Sequence, residues 1–311
     1  MSSEAVEATR TGYGRGLLVA GKKNDNVVSL EADLGASCKT AEFKRELPER
    51  SFNVGISEQD MICTASGMAA EGKVAFAASF AIFTERAFEQ IRNSVARQNL
   101  DVKVMGSHSG LHTGEDGSSA QTVEDIAIYR TLPNMRVIVP ADSVEAEAAT
   151  ITASETPGPF YLRFGRNKTP IIYDENYKFE IGKGSVLKEG NDLTIIACGV
   201  LVSESLKAAE ILEKEGISAR VVNMSSIKPI DSELIEKCAN ETELIITAED
   251  HSIIGGLGSA VAEVLSERCP TRLVRIGVQD VFGESGSPEE LYKKYGLDSE
   301  SIAEKVKEEV K

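Results

Sequence analysis

Groups able to do chemistry gather first in the stretch GSHSGLHTGEDGSSAQ, residues 106–121, which carries four glycines and two of the chain's three histidines, His108 and His112. A loop of this composition lets backbone amides approach a ligand closely. The alternative is an ordinary strand-to-helix connection whose histidines are solvated. A second group is GISEQD, residues 55–60, at the expected start of a helix. There Glu58 and Asp60 either complement the helix dipole, with Ser57 as the cap, or Glu58 turns into a cleft and handles one decisive proton. A third is SFAIFTERAFEQ, residues 79–90, which brings Phe80, Phe83 and Phe88 together with Arg86. Helical spacing alone does not separate core packing from an aromatic wall for a flat heterocycle.

Other chemistries fit poorly. GGLG, residues 255–258, follows a strand-like run, but Val261 stands at the third glycine position of a dinucleotide fingerprint. Tight helix packing is the better account, and the adjacent His251 reads as a hydrogen-bonded structural residue. The chain lacks a G-x-S-x-G elbow, a Walker A lysine, an H-E-x-x-H pair and any metal-ligand cluster.

The elements that must position these groups alternate between Val/Ile-rich runs and helix-period segments, the pattern of parallel sheets covered by helices. Strands are expected at residues 26–30, 74–78, 102–107, 136–139 and 160–163, and helices at 58–71, 84–98, 123–129 and 144–154. A second series has strands at 193–198, 219–224, 243–250 and 271–277 and helices at 201–215, 231–239 and 257–268. The fold class is therefore α/β, with two tandem open α/β domains and ligand sites at the carboxyl ends of strands. The length of 311 residues agrees with about two domains.

With 34 Lys plus Arg against 49 Asp plus Glu, the formal charge is -15. Such a surface repels phosphate backbones and anionic lipid, which argues against nucleic acid and membrane as partners. An anionic substrate must then be held by a few placed cations. The five cysteines are scattered without a C-x-x-C pair and read as buried thiols of a reducing compartment. An acidic amino-terminal stretch and short apolar runs predict a cytoplasmic protein.

Taken in order, ATR at 8–10, ADLGAS at 32–37, GISEQ at 55–59, SFAIF at 79–83, GEDG at 114–117 and LPNMRVIVPAD at 132–142 resemble the second half of transketolase. The resemblance spans nearly the whole chain. It implies a thiamine-diphosphate-enzyme pyrimidine-binding domain at 1–170, a linker at 171–190 and a transketolase C-terminal domain at 191–311. It also implies roles. Glu58 matches the glutamate that bonds the ring nitrogen of the cofactor's aminopyrimidine, Phe80 the aromatic stacked on that ring, Phe83 a neighbour on the same wall, and Asp33 an acid of the cofactor cleft. A carboxyl group kept from water can share a proton with a weakly basic ring nitrogen near neutral pH. Arg10, Ser37, Arg163 and His108 match residues that grip a sugar phosphate, His108 also positioning or polarising the substrate, and Asp116 matches the aspartate that reads a substrate hydroxyl.

Two positions depart from the family. Ala120 stands where GEDGPTHQ-like loops carry a histidine, and Arg86 replaces an aromatic, as in the related deoxyxylulose phosphate synthases. The G-D-G motif that holds magnesium and the cofactor diphosphate does not occur in the sequence. The resemblance thus implies the carboxyl-terminal subunit of a split transketolase, with the magnesium ligands supplied by an amino-terminal partner subunit. Two copies of this chain would form the centre of a heterotetramer that moves a two-carbon ketol unit between sugar phosphates. The rivals are the beta subunit of a 2-oxoacid dehydrogenase component and a non-catalytic regulatory subunit.

Overall fold

The computed structural model describes residues 5–310. Among them, 5–109 with 128–180 form one compact unit and 110–127 with 181–310 form another. The loop containing GEDG is thus counted with the second unit.

In the first unit, neighbouring strands run in the order Arg136–Ile138, Phe160–Arg163, Val102–Ser107, Val74–Phe80, Val27–Glu31 and Ser51–Asn53, every pair parallel. Except in the edge strand Ser51–Asn53, their central residues are buried, as β-branched and small apolar side chains between two helical layers must be. A short strand, Val6–Ala8, pairs antiparallel with Lys168–Pro170 and leads into the helix Thr9–Lys23. The sequence pattern leaves that helix out because Gly12, Gly14, Gly16 and Gly21 interrupt it. Its glycines instead let it lie against the helix Ser143–Glu155: a Cβ on Gly12 would fall 1.9 Å from the Ser143 carbonyl oxygen, and one on Gly16 2.7 Å from that of Glu147. The helix Ser143–Glu155 is capped by Asp142, whose side chain accepts from the Glu145 amide.

The expected helix over 84–98 is broken. Helix begins at Ala81, directly after the strand ending at Phe80, stops at Glu85, and resumes as Phe88–Gln90 and a π-helical turn, Ile91–Ala96. The Thr84 hydroxyl lies 2.7 Å from the Ala81 carbonyl and 2.8 Å from the Tyr129 hydroxyl. Such back-bonding competes with the helical ladder.

The second unit has the strand order Arg272–Val278, Leu244–Ser252, Leu193–Ala197, Ala219–Asn223 and Ser185–Lys188, parallel except for the last, antiparallel edge strand. The helices Leu201–Lys214, Ser232–Glu241 and Leu257–Arg268 alternate with its parallel strands along the chain. Pro288–Tyr295, opened by a Ser287/Glu290 capping box, and Ser299–Glu309 close the chain.

At GGLG the structure gives a structural explanation. Gly256 is the N-cap of Leu257–Arg268, and the buried Glu249 carboxylate accepts from the amides of Leu257 and Gly258 at 2.7 and 2.8 Å. The helix start is occupied by the chain's own anion. His251 is buried, with Nε2 accepting from the Ala127 amide at 3.3 Å. Of the five free cysteines, Cys38, Cys198 and Cys238 are buried, but Cys63 is exposed and Cys269 partly so, which corrects the expectation of five buried thiols. Cys63 sits on the outward face of the helix Glu58–Ala70. No described helix is long and apolar enough to cross a membrane.

Candidate functional site

Parallel strands bring their carboxyl ends to one edge of a sheet, so the residues immediately following different strands become neighbours. In the first unit these are Asp33 and Ser37 after Val27–Glu31, Glu58 after Ser51–Asn53, Phe80 at the end of Val74–Phe80, His108 after Val102–Ser107, and Arg163 at the end of Phe160–Arg163. Arg163 is buried and pairs in register with Gly106.

Glu58 opens the helix Glu58–Ala70, and Ser57, though at the cap position, makes no side-chain capping bond. Ser57, Gln59 and Asp60 are exposed while Glu58 is 2% exposed. An acid serving only the helix dipole has no reason to leave water, and this one has done so. Its hydrogen-bond partner is Arg86, whose Nη1 donates to Oε2 at 3.4 Å from a largely exposed side chain. The Arg86 guanidinium lies 6.0 Å from the Phe83 ring centroid.

Phe83 and Phe80 stack with centroids 5.5 Å apart and planes 10° apart, and both remain partly exposed. A core pair would be covered, so this pair offers aromatic face to whatever enters. Phe88, by contrast, packs on Tyr129. Phe80 also stacks on His108, 3.7 Å between centroids.

Both loop histidines are buried, which removes the solvated alternative. His108 adopts a left-handed backbone, φ 56°. Its Nε2 is 3.4 Å from Arg10 Nη1 and its Nδ1 2.9 Å from Ser107 Oγ. A guanidinium only donates, so Nε2 accepts and the ring proton belongs on Nδ1, donated to Ser107. Burial first, then the charges of Arg10, Arg166 and Lys39, push the His108 pKa down to about 3. The imidazole is neutral at physiological pH. Arg10 also donates to the Ser37 carbonyl at 2.9 Å, and burial followed by Arg166 lowers its own pKa. Like charges held in partly buried surroundings call for an anion.

The structure therefore links Glu58, Arg86, Phe83, Phe80, His108, Arg10 and Ser37 in one chain of contacts. Asp33 stands apart from it, exposed at φ 61° and bonded to Asn53 Nδ2 at 3.1 Å. Asp116 is exposed and belongs to the second unit, where it ends the turn Leu111–Asp116. Sequence reasoning passes over Lys39 and Arg166, whose charges reach His108. It also passes over Asn53, whose Oδ1 accepts from the amides of Asp33 and Gly55 and so ties the two loops flanking Glu58's approach. No residue pattern marks such a bridge.

Comparison with known proteins supplies the rest. The model described as "Transketolase, pyrimidine binding domain" matches residues 6–171, and "Transketolase, C-terminal domain" matches 182–302. A Methanocaldococcus jannaschii protein named as a transketolase C-terminal section is 51% identical over 99% of this chain and 98% of its own length. An apulose-4-phosphate transketolase subunit from Phocaeicola vulgatus is 37% identical over 98% of each chain. Transketolase of Rattus norvegicus is 38% identical over 96% of this chain, which spans 48% of that protein. A solved structure titled "Split gene transketolase, inactive beta4 tetramer" superposes with a TM-score of 0.91 at 48% identity, covering 97% of each chain. Matched across both of its halves, the chain belongs to the transketolase family.

Proposed function

We propose that this chain is the carboxyl-terminal subunit of a split, thiamine-diphosphate-dependent transketolase that transfers a two-carbon ketol unit from a ketose phosphate to an aldose acceptor. The observation that carries the proposal is the buried Glu58 carboxylate joined through Arg86 to two partly exposed, nearly parallel aromatic rings, the second of which stacks on His108 beside Arg10. A buried acid with one partner and an adjoining aromatic face suit a flat, weakly basic aminopyrimidine. Glu58 would hold the proton at the ring nitrogen, and Phe80 and Phe83 would bear the ring's face, with Asp33 at the edge of the cleft. When bound, thiamine diphosphate supplies the nucleophilic carbon and the electron sink for breaking and re-forming the carbon–carbon bond.

The remaining residues handle the sugar phosphate. Arg10 and Arg163 offer paired donors to a phosphate dianion. Neutral His108 accepts from Arg10 and so orients that guanidinium, and Ser37 fixes it from the other side through its carbonyl. Asp116 would read a substrate hydroxyl. Magnesium and the cofactor diphosphate would be held by an amino-terminal partner subunit, in the cytoplasm, with two copies of this chain at the centre of a heterotetramer. A related solved chain is described as an inactive beta4 tetramer of a split-gene transketolase, and for this chain we infer dependence on an amino-terminal partner. The family also contains proteins named for 6-deoxy-6-sulfo-D-fructose and apulose 4-phosphate, and Ala120, where a histidine is usual, changes the wall that meets the sugar.

The test is reconstitution with an amino-terminal transketolase subunit, thiamine diphosphate and magnesium, assayed with ketose and aldose phosphates and, separately, with pyruvate and a lipoyl acceptor. Ketol transfer is expected, and Glu58→Gln should lower it by at least about a hundredfold, the scale of losing an essential proton-transfer group. Turnover of pyruvate alone would point to the 2-oxoacid dehydrogenase reading. A Glu58→Gln complex as active as the parent would leave the carboxylate without a role.

A further inference from the structure

We infer that Asp250 is a positioning residue for the substrate loop, and that the second unit serves the reaction by gripping that loop at both ends. This rests on the transketolase reading, in which Asp116 contacts substrate. Leu111–Asp116 is two short 3-10 turns joined across a kink at Gly114, whose backbone is non-helical. So short a turn cannot hold its own shape, because its first amides have no acceptors within it. Asp250 provides them. Its Oδ1 accepts from the Leu111 amide at 2.8 Å and its Oδ2 from the His112 amide at 3.0 Å, from 139 and 138 residues away in sequence.

The carboxylate is itself fixed. It is buried, and the Tyr292 hydroxyl donates to Oδ2 at 2.9 Å. The Tyr292 ring also lies 5.8 Å from that of His112. No side chain other than hydrogen fits at Gly110, where a Cβ would lie 2.2 Å from Asp250 Oδ2 and the backbone has φ 71°. At the far end, Gln121 Nε2 donates both to the Gly114 carbonyl at 2.8 Å and to the Glu284 carbonyl at 2.9 Å. A Cβ at Gly283 would collide with Gln121 Oε1. Asp116, exposed at the last position of the turn, thus hangs between two buried fastenings made by residues of the second unit. Asp250 fixes the turn before the Gly114 kink and Gln121 the kink itself, so loosening the first frees Asp116 to shift, and a misplacement of about 1 Å in a substrate contact is costly in rate.

The experiment uses the complex of this full chain with its amino-terminal partner. Asp250→Asn keeps the shape but turns one acceptor into a donor facing an amide N–H. We expect KM for the sugar phosphate to rise about tenfold or more, with thiamine diphosphate affinity within about twofold of the parent. An unchanged KM, or parallel loss of cofactor affinity, would overturn the inference. Should Asp250→Asn not fold, Tyr292→Phe removes a single donor. In that variant hydrogen exchange at the Leu111 and His112 amides should quicken about tenfold while exchange in the strand Leu193–Ala197 does not change. Equal exchange at all these amides would overturn it. If the parent complex proves inactive on sugar phosphates, the transketolase reading fails, and the exchange measurement still decides whether Asp250 holds the loop.

Discussion

Replacing Gly12 by alanine probes the closest contact between helices in the first unit. A Cβ there would sit 1.9 Å from the Ser143 carbonyl oxygen, 2.8 Å from its carbon and 3.0 Å from its Cα, all backbone atoms. No rotamer change relieves such a clash. Ordinary contact begins near 3.4 Å, so the two helices must part by about 1.5 Å, loosening the neighbouring approach at Gly16 as well. Overpacking of this kind costs about 1–3 kcal/mol, here at the upper end, while alanine regains about 1 kcal/mol of helix propensity. The net expectation is a loss of about 2 kcal/mol, or roughly 4–8 °C in the melting of the first unit. Gly67→Ala is the control. Gly67 lies in Glu58–Ala70, and a Cβ there meets nothing within 4 Å, so the variant should be more stable by up to about 1 kcal/mol. Calorimetry with circular dichroism on both variants reads the difference. If Gly12→Ala melts at or above the parent, the close crossing inferred from the glycines is wrong.

Two further outcomes follow from the buried groups. His108 has a native pKa of about 3 against an ordinary 6.5, so the unfolded chain binds a proton the native chain refuses. Its contribution to stability is complete above pH 6.5 and is lost as pH falls from 6.5 toward 3. His108→Gln should flatten that part of the pH–stability curve, and superimposable curves would contradict the burial, reinforced by the Arg10, Arg166 and Lys39 charges, that holds the native imidazole neutral. Glu249→Ala strands the amides of Leu257 and Gly258 in a buried site, for an expected loss of about 2–3 kcal/mol. Chemical denaturation measures it, and a change under about half a kcal/mol would mean water replaces the carboxylate at no cost.

Where apolar pattern and secondary structure coincide, the elements are readable from residues alone. The runs around Ile195, Val221, Ile246 and Val104 are buried on both faces and form the central strands, with bounds shifted by a residue or two. Thr9–Lys23 is not readable, because a glycine that admits a neighbouring backbone and a glycine that breaks a helix are the same letter. The closing helices do carry signals of their own, Ser287 with Glu290 and Asp298, in a stretch whose apolar pattern is weak. Of the site, the order of short motifs points to Glu58, Phe80, His108 and Arg10. What Asp250 and Asn53 do is invisible in the sequence, since each joins segments that only the folded chain brings together.

Glu58 and Glu249 show why partners, not burial, separate a chemical acid from a structural one. Both stand at or beside a helix start, and both are almost wholly withdrawn from water. Leaving water costs a carboxylate several kcal/mol unless donors replace the lost hydration. Glu249 receives two backbone donors that cannot leave, so its charge is committed to the helix it caps. Glu58 receives one long bond from Arg86, a side chain more than half exposed and free to swing away. Its desolvation is therefore only partly compensated within the chain. In the transketolase reading proposed above, a donor of the bound cofactor would complete that compensation, its flat ring lying on the partly exposed Phe80 and Phe83.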